Sequence, residues 1–273
     1  MLLSYLWNLL LSYPILTSST VHVSLITAES LLLFGLFSLW DLGYMKTEKL
    51  KVKIVSPVTW KSYKNALVMA LKNSGFMVLG ASIAIWLMTG DIHGGYAIQG
   101  IPRENFPLEA PSLFEWLWQT LLLTIVVDFG VYWGHRLYHY GFMYTWYHKV
   151  HHAYHDIICI HAICAHMVEL YSVMGLIFIV SRLTHLIVGI HPLVAYATPF
   201  LLTAHNIISH SGYDDHLEDL TLGLISGSKM HIVHHQMPKY NFGFFTYIWD
   251  YVFGTKLTHK EMLERRPNIQ HDD

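Results

Sequence analysis

HKVHH, residues 148–152, places three histidines within five positions, and HIVHH, residues 231–235, repeats the arrangement later in the chain. One buried histidine has an ordinary explanation, since it fills space and finds a hydrogen bond. Two blocks of the same shape point to shared chemistry. A third block, HRLYH, sets His135 and His139 at i and i+4. On a helix those positions lie on one face, one turn apart. His148, His151 and His152 have i, i+3 and i+4 spacing, as do His231, His234 and His235. Each block can therefore aim two or three ring nitrogens at one point. Together they supply more imidazoles than the four ligands of a tetrahedral zinc. Imidazole also suits copper, iron and nickel. The blocks predict a centre of two metals. His155, four residues after His151, extends the second block and is a further candidate ligand.

The rest of the chain sets these blocks on a membrane. Of 273 residues, 53% are hydrophobic and only 13% charged, about half the usual charged share of a soluble domain. Mean hydropathy is +0.36. Aromatics reach 14%, which suits contact with lipid headgroups. A net charge of −2 gives no sign of a nucleic-acid partner. The two cysteines, Cys159 and Cys164, are too few for a disulfide framework, and their spacing is not that of a thiolate zinc site.

Apolar runs approach bilayer length at 24–44, 116–134, 170–190 and 192–208, and a shorter one occupies 76–88. The apolar first sixteen residues read as a retained membrane-associated segment. Lysines at 46, 49, 51, 53, 61 and 64 predict that this stretch faces the cytoplasm. Counting crossings from there brings His135, His205, His210 and His231 to the cytoplasmic side. His93, His185 and His191 fall near the opposite side. Residues 91–115 read as a loop, and residues 210–273 hold no span. The predicted fold is all-α: a polytopic membrane protein of four to five membrane helices with a cytoplasmic helical cap, built from 135–168 and 210–255, holding the histidine-rich site. The predicted divisions are an N-terminal membrane region, 1–114, a catalytic region, 115–256, and a polar tail, 257–273.

HRLYH, HKVHH and HIVHH resemble the three histidine boxes of the fatty acid hydroxylase superfamily, which includes sterol desaturases and 4-methylsterol oxidases. AHMVE at 165–169 resembles the stretch A-H-P-x-E after the second box, with Met167 in place of the usual proline. HSGYD at 210–214 resembles the same motif of sterol oxidases, and YNFGFFTYIWDYVFGT at 240–255 resembles the closing segment of the family. The resemblance covers roughly residues 115–256; earlier residues match only in hydropathy. It implies a non-haem di-iron oxygenase of the endoplasmic reticulum that acts on a lipid with O₂. Electrons would come from NAD(P)H through a b-type cytochrome and its reductase. It adds His210 to the ligands, and His166 as a ligand or supporting partner. Asn206, one turn before His210, the adjacent His205, or a water is a candidate for a further ligand.

Asp128 lies seven residues before His135 within an apolar run, where a carboxylate is a functional candidate. It reads as an acceptor for an imidazole N–H, a common support of metal ligands. Glu169 and Asp250 are weaker candidates for that role. His161 and His216 read as packing or surface residues, and Trp133, Tyr144, Trp146 and Tyr147 as an interfacial aromatic belt. A membrane zinc hydrolase would need a base such as the Glu of HExxH, which is absent from the sequence. A metal-ion transporter would place ionisable groups along its spans, whereas these histidines gather at span ends. Within the oxygenase reading, HSGYD leans towards sterol oxidases; a sterol 5-desaturase and a sphingoid-base or fatty acid hydroxylase stay open as alternatives.

Overall fold

The computed structural model describes residues 1–42, 60–89, 98, 101–154, 157–213 and 216–265. The lysines at 46–53, and His93 and His155, lie outside the described residues. The described residues are helical and contain no strand; two isolated bridges pair Ile98 with Ile101 and Ile225 with Thr246.

Among the described residues, four helices are long and apolar enough to cross a membrane: α2 (Ser19–Asp41), α3 (Trp60–Thr89), α4 (Leu113–Tyr138) and α6 (Met167–Val188). A short α1 (Leu2–Ser12) precedes them, and α5 (Gly141–Trp146) follows α4. The outward faces of α2 and α6 are apolar, with Leu32, Leu36, Ile179, Leu183 and Ile187 exposed. Apolar surface of this extent is stable against lipid rather than water. α7 (Pro192–Ser209) returns alongside them, packed on α2 and α4. It buries Thr198, His205 and Ser209, so the expected fifth span is an enclosed helix that runs back from His191 to the histidine blocks among the other helices.

The second span is longer than the apolar run 76–88 suggests. α3 has 30 residues. The polar residues that interrupt the run are accommodated without breaking the helix. Asn73 and Ser74 turn inward and are buried. Asn73 Nδ2 donates to the carbonyls of Ile163 and Ala165 at 2.7 and 3.1 Å. Lys72 stays outside, its Nζ 5.8 Å from the Phe76 ring centroid.

α4 is the axis of the molecule. It starts at a capping box, where Ser112 Oγ accepts from Glu115 N and Glu115 Oε2 accepts from Ser112 N. Gly130 and Gly134 let α6 approach closely: a Cβ at these positions would stand 3.1 Å from Val180 Cγ2 and 3.0 Å from Leu176 Cδ2. Small residues four apart are a common device for tight helix packing in membranes. The helix runs on to Tyr138, so His135 lies inside its last turn and His139 caps it. At the other end, Gln119 Oε1 accepts from the main-chain N–H of His191 at 2.7 Å, and Trp7 packs on the His191 ring. Gln119 and His135 are sixteen residues apart, about 24 Å along the helix. His191 therefore sits at the end of the fold remote from the histidine blocks.

Among the described residues four shorter helices follow α7: α8 (Leu217–Leu220), α9 (Ser228–Gln236), α10 (Ile248–Val252) and α11 (His259–Arg265). Leu257 and Met262 are buried and pack with Val233 of α9, so the start of the predicted polar tail folds back on the cap. The interior bonds of Asn73 make its truncation costly. Asn73→Ala leaves two carbonyls without their donor, at about 1–3 kcal/mol for each buried group left unsatisfied. A fall in the thermal midpoint of purified protein checks this, with Lys72→Ala as the near-neutral comparison.

Candidate metal centre

The histidine blocks converge from four pieces of chain. α4 brings His135 and His139, and α9 brings His231, His234 and His235. HKVHH is not an α-helix: His148–Val150 form a 3₁₀ turn and His151 and His152 follow in a turn. His210 caps the C-terminus of α7. Among the described residues, the potential ligand atoms form two groups. His135, His139, His148, His152 and His234 make one; His151, His210, His231 and His235 make the other, with all atoms of a group within 4.8 Å of one another. The second and third blocks each divide between the two groups. On α9 this follows from pitch, at about 100° per residue: His231 and His235 are 40° apart, whereas His234 is 100° from His235.

The atoms that meet are Nε2 atoms. His139 Nε2 lies 3.3 Å from His135 Nε2, 2.9 Å from His148 Nε2 and 3.2 Å from His234 Nε2. In the second group His210 Nε2 lies 2.8 Å from His231 Nε2 and 3.3 Å from His151 Nε2, and His235 Nε2 lies 3.1 Å from His231 Nε2. The opposite ring edge explains why these cannot all be hydrogen bonds. His135 Nδ1 faces the Phe242 carbonyl at 3.0 Å, His234 Nδ1 the Tyr240 carbonyl at 2.7 Å, and His210 Nδ1 the Asn206 carbonyl at 2.7 Å. A carbonyl only accepts, so each Nδ1 carries the hydrogen. In a neutral ring Nε2 is then a lone pair. His148 Nδ1 likewise donates to Glu169 Oε1 at 2.7 Å. Several lone pairs point at one small space.

Protonation does not relieve the crowding. Burial lowers the His148 imidazole to about 3. Burial foremost, with the neighbouring imidazoles, lowers His151 to about 4. The same causes depress His139, His152, His210, His231, His234 and His235. The rings are neutral at pH 7. Neutral imidazole with a free Nε2 is the ligating form for zinc and iron, and an Nδ1–H held by a carbonyl or carboxylate is the usual support of such ligands. The donor set fits two cations side by side.

The remaining candidates fall elsewhere. Asp128 meets no imidazole. Its carboxylate accepts from the main-chain N–H groups of Phe244, Phe245 and Thr246 and from Thr246 Oγ1. It acts on the centre only by holding the segment whose Phe242 carbonyl orients His135. Asp250 has the same kind of role, accepting from Phe242 N and Gly243 N at 2.8 and 2.7 Å and from Thr255 Oγ1. His166 is a helix cap, its Nδ1 accepting from Val168 N at 3.2 Å. His205 Nε2 donates to Ser226 Oγ at 2.8 Å, because that hydroxyl gives its own proton to the Phe244 carbonyl. At Nε2 His205 thus presents a proton and not a lone pair. Asn206 meets His210 through its main-chain carbonyl. His161 is buried against Tyr154, at 4.2 Å between ring centroids, and His216 is exposed. Of the aromatic belt, Trp146 is exposed, but Tyr144 lies over the site, 5.7 Å from His139 and 6.0 Å from His152 between centroids. Sequence reasoning missed Tyr144 in this role, and also the Tyr240 and Phe242 carbonyls. Every residue has a carbonyl, so no residue type could have signalled them.

The fatty acid hydroxylase family matches residues 120–255, which hold all nine clustered histidines. The chain belongs to the fatty acid hydroxylase superfamily. Its relatives include the C-4 methylsterol oxidase erg25 of Schizosaccharomyces pombe, 30% identical over 57% of this chain and 53% of that protein. The chain thus spans about half the length of that relative. A cholesterol 25-hydroxylase-like protein of Danio rerio is 25% identical over 93% of this chain and 97% of its own length. Methylsterol monooxygenase 1 of Rattus norvegicus is 28% identical over 81% of this chain and 71% of its own length. No solved structure matches. Among the described residues, four helices of this superfamily member are long and apolar enough to cross a membrane.

Two predictions follow from the geometry. A Cβ on Gly243 would stand 2.2 Å from the Thr246 carbonyl oxygen and 2.6 Å from Asp250 Oδ2. Gly243→Ala must displace the 241–246 segment, and overpacking of this kind costs about 1–3 kcal/mol; a lower thermal midpoint checks it. The metal-free protein should lose stability as pH falls from 6.5 towards 4. In that window the unfolded histidines bind protons that folded His148 and His151, lowered to about 3 and about 4, do not. Thermal midpoints of chelator-stripped protein across that range should decline; a flat profile contradicts the neutral-ring assignment.

Proposed function

We propose that the chain is a membrane-bound non-haem di-iron oxygenase that oxidises an unactivated C–H bond of a sterol, in a reaction of the 4-methylsterol oxidase type. The convergence of Nε2 lone pairs in two adjacent groups carries this reading. His135, His139, His148, His152 and His234 would hold one iron, and His151, His210, His231 and His235 the other. Iron bound there supplies O₂ activation and the oxidising power for C–H cleavage.

The chain's own residues supply position and dryness. Glu169 and the carbonyls of Tyr240, Phe242 and Asn206 fix ring orientation, each at one Nδ1–H. An all-imidazole donor set leaves the metals cationic, which favours a strong oxidant. Burial of His148, His151, His152, His210, His234 and His235 keeps bulk water from the centre and limits loss of oxidising equivalents to side reactions. A lipid substrate would enter sideways from the bilayer. Electrons would arrive from NAD(P)H through a b-type cytochrome and its reductase, at the cytoplasmic face of the endoplasmic reticulum. The sterol preference draws on the methylsterol and cholesterol relatives together with HSGYD. In this reading residues 1–114 are the membrane region and 115–256 the catalytic region.

Two experiments test the proposal. Metal analysis of purified protein should find about two irons per chain. His151→Gln and His234→Gln, one from each group, should each lose at least one iron, whereas His185→Gln and His191→Gln, at the remote end, should keep both. Zinc alone, or loss of metal on changing His185, contradicts the site. Lipid profiling of cells with and without the protein should show a 4-methylsterol accumulating in its absence. Accumulation of a sphingoid base, a fatty acid or a sterol lacking a 5,6 double bond would redirect the substrate without changing the centre.

A further inference from the structure

The segment that closes the metal site lies too low to be part of a water-exposed cap. A bilayer hydrocarbon core is about 30 Å thick and takes about 20 residues of helix. α4 has 26 residues. Wherever a stretch of about that length falls between Leu113 and Tyr138, residues 119–132 belong to it. Asp128 and Phe129 are therefore at hydrocarbon depth in every placement.

The closing segment is fastened at that level. Phe244, Phe245 and Thr246 donate their main-chain N–H groups to Asp128. α10 then climbs beside α4 in the same direction. Trp249 packs on Phe129 at 4.6 Å between centroids, Phe253 on Trp133 at 5.0 Å, and Thr255 Oγ1 lies 2.9 Å from Tyr132 Oη. The outward side of this short helix is apolar: Tyr251 is 77% and Val252 59% exposed. A second turn beside it behaves alike. Leu224 O accepts from Tyr247 N, and Leu222, in the left-handed region at φ 54, is 91% exposed. A leucine at positive φ is uncommon, and here the turn directs its side chain away from the protein.

We propose that residues 241–253, with the turn at 222–224, form a re-entrant wedge that dips into the lipid beside α4 and presents Leu222, Leu224, Tyr251 and Val252 to acyl chains. Irregular backbone is tolerated at membrane depth only where its polar groups are met by protein. The two buried carboxylates do this: Asp128 serves residues 244–246, and Asp250 serves Phe242 and Gly243. The occupant is lipid and not a protein partner, because this apolar surface continues the exposed face of α4 at Phe129, Trp133 and Leu137. The wedge brings hydrocarbon to the segment that orients His135 and His234. The inference depends on α4 crossing the bilayer and not on which metal or substrate the centre takes.

Spin labels on single introduced cysteines test it in phosphatidylcholine proteoliposomes. Val252→Cys and Tyr251→Cys carry the label on the wedge, Leu121→Cys on the exposed face of α4, and Lys260→Cys on the exposed side of α11. The parent chain, whose Cys159 and Cys164 are buried, is the blank. Labels at 251 and 252 should collide with oxygen in preference to a water-soluble nickel chelate, by a ratio close to that at 121 and several-fold above that at 260. A ratio at both wedge positions matching 260 overturns the proposal. A label at 121 that is itself accessible to nickel overturns it too, since α4 then does not cross. If one wedge variant fails to fold, the other gives the same reading.

Discussion

The structure depends on one electrostatic constraint: Nε2 lone pairs of neutral imidazoles are held face to face at 2.8–3.3 Å. Left alone, such an arrangement is repulsive. It persists because the rings of His135, His148, His210 and His234 are fixed from behind, by a carbonyl or carboxylate that accepts the Nδ1–H, and because the surrounding burial disfavours protonation. A cation between the lone pairs converts the repulsion into ligation. The protein builds its electrostatic conflict first and leaves its resolution to metal.

Much of the remaining architecture holds those second ring edges still. The close contact of α4 and α6 at Gly130 and Gly134 sets Glu169 beside His148. Asn241 bonds to the carbonyls of Met230 and Leu257 and receives Leu257 N–H on its own side-chain oxygen. Asp128 and Asp250 then tie down the residues that follow. The carbonyls of Tyr240 and Phe242 are thus pinned on both sides of the residue between them. Buried carboxylates that never touch a histidine decide where two of the five Nε2 atoms of the first group point.

The histidine blocks were readable because a metal centre needs a residue type, and type is what a sequence states. Helical spacing also explained why His231 and His235 share a group. The division of HKVHH was not readable, since that block is a 3₁₀ turn whose ring directions come from tertiary contacts. Hydropathy found the spans at α2, α4 and α6 but shortened α3, because Asn73 and Ser74 look like interruptions until their inward face is known. At α7 the apolar run reflects burial among helices as much as burial in lipid. Asp128 stands out in the sequence as an unusual carboxylate in an apolar helix, but it supports no imidazole. Its partners are main-chain N–H groups more than a hundred residues away, and nothing local encodes such a contact.

The central claim is that the nine histidines hold two irons in adjacent sites, five in one and four in the other. Anomalous diffraction at the iron edge from crystals of the full chain tests it most directly. Two peaks are predicted, one among His135, His139, His148, His152 and His234, the other among His151, His210, His231 and His235. A single peak, or one centred on His166, His205 or the His185–His191 end of the fold, would contradict the account.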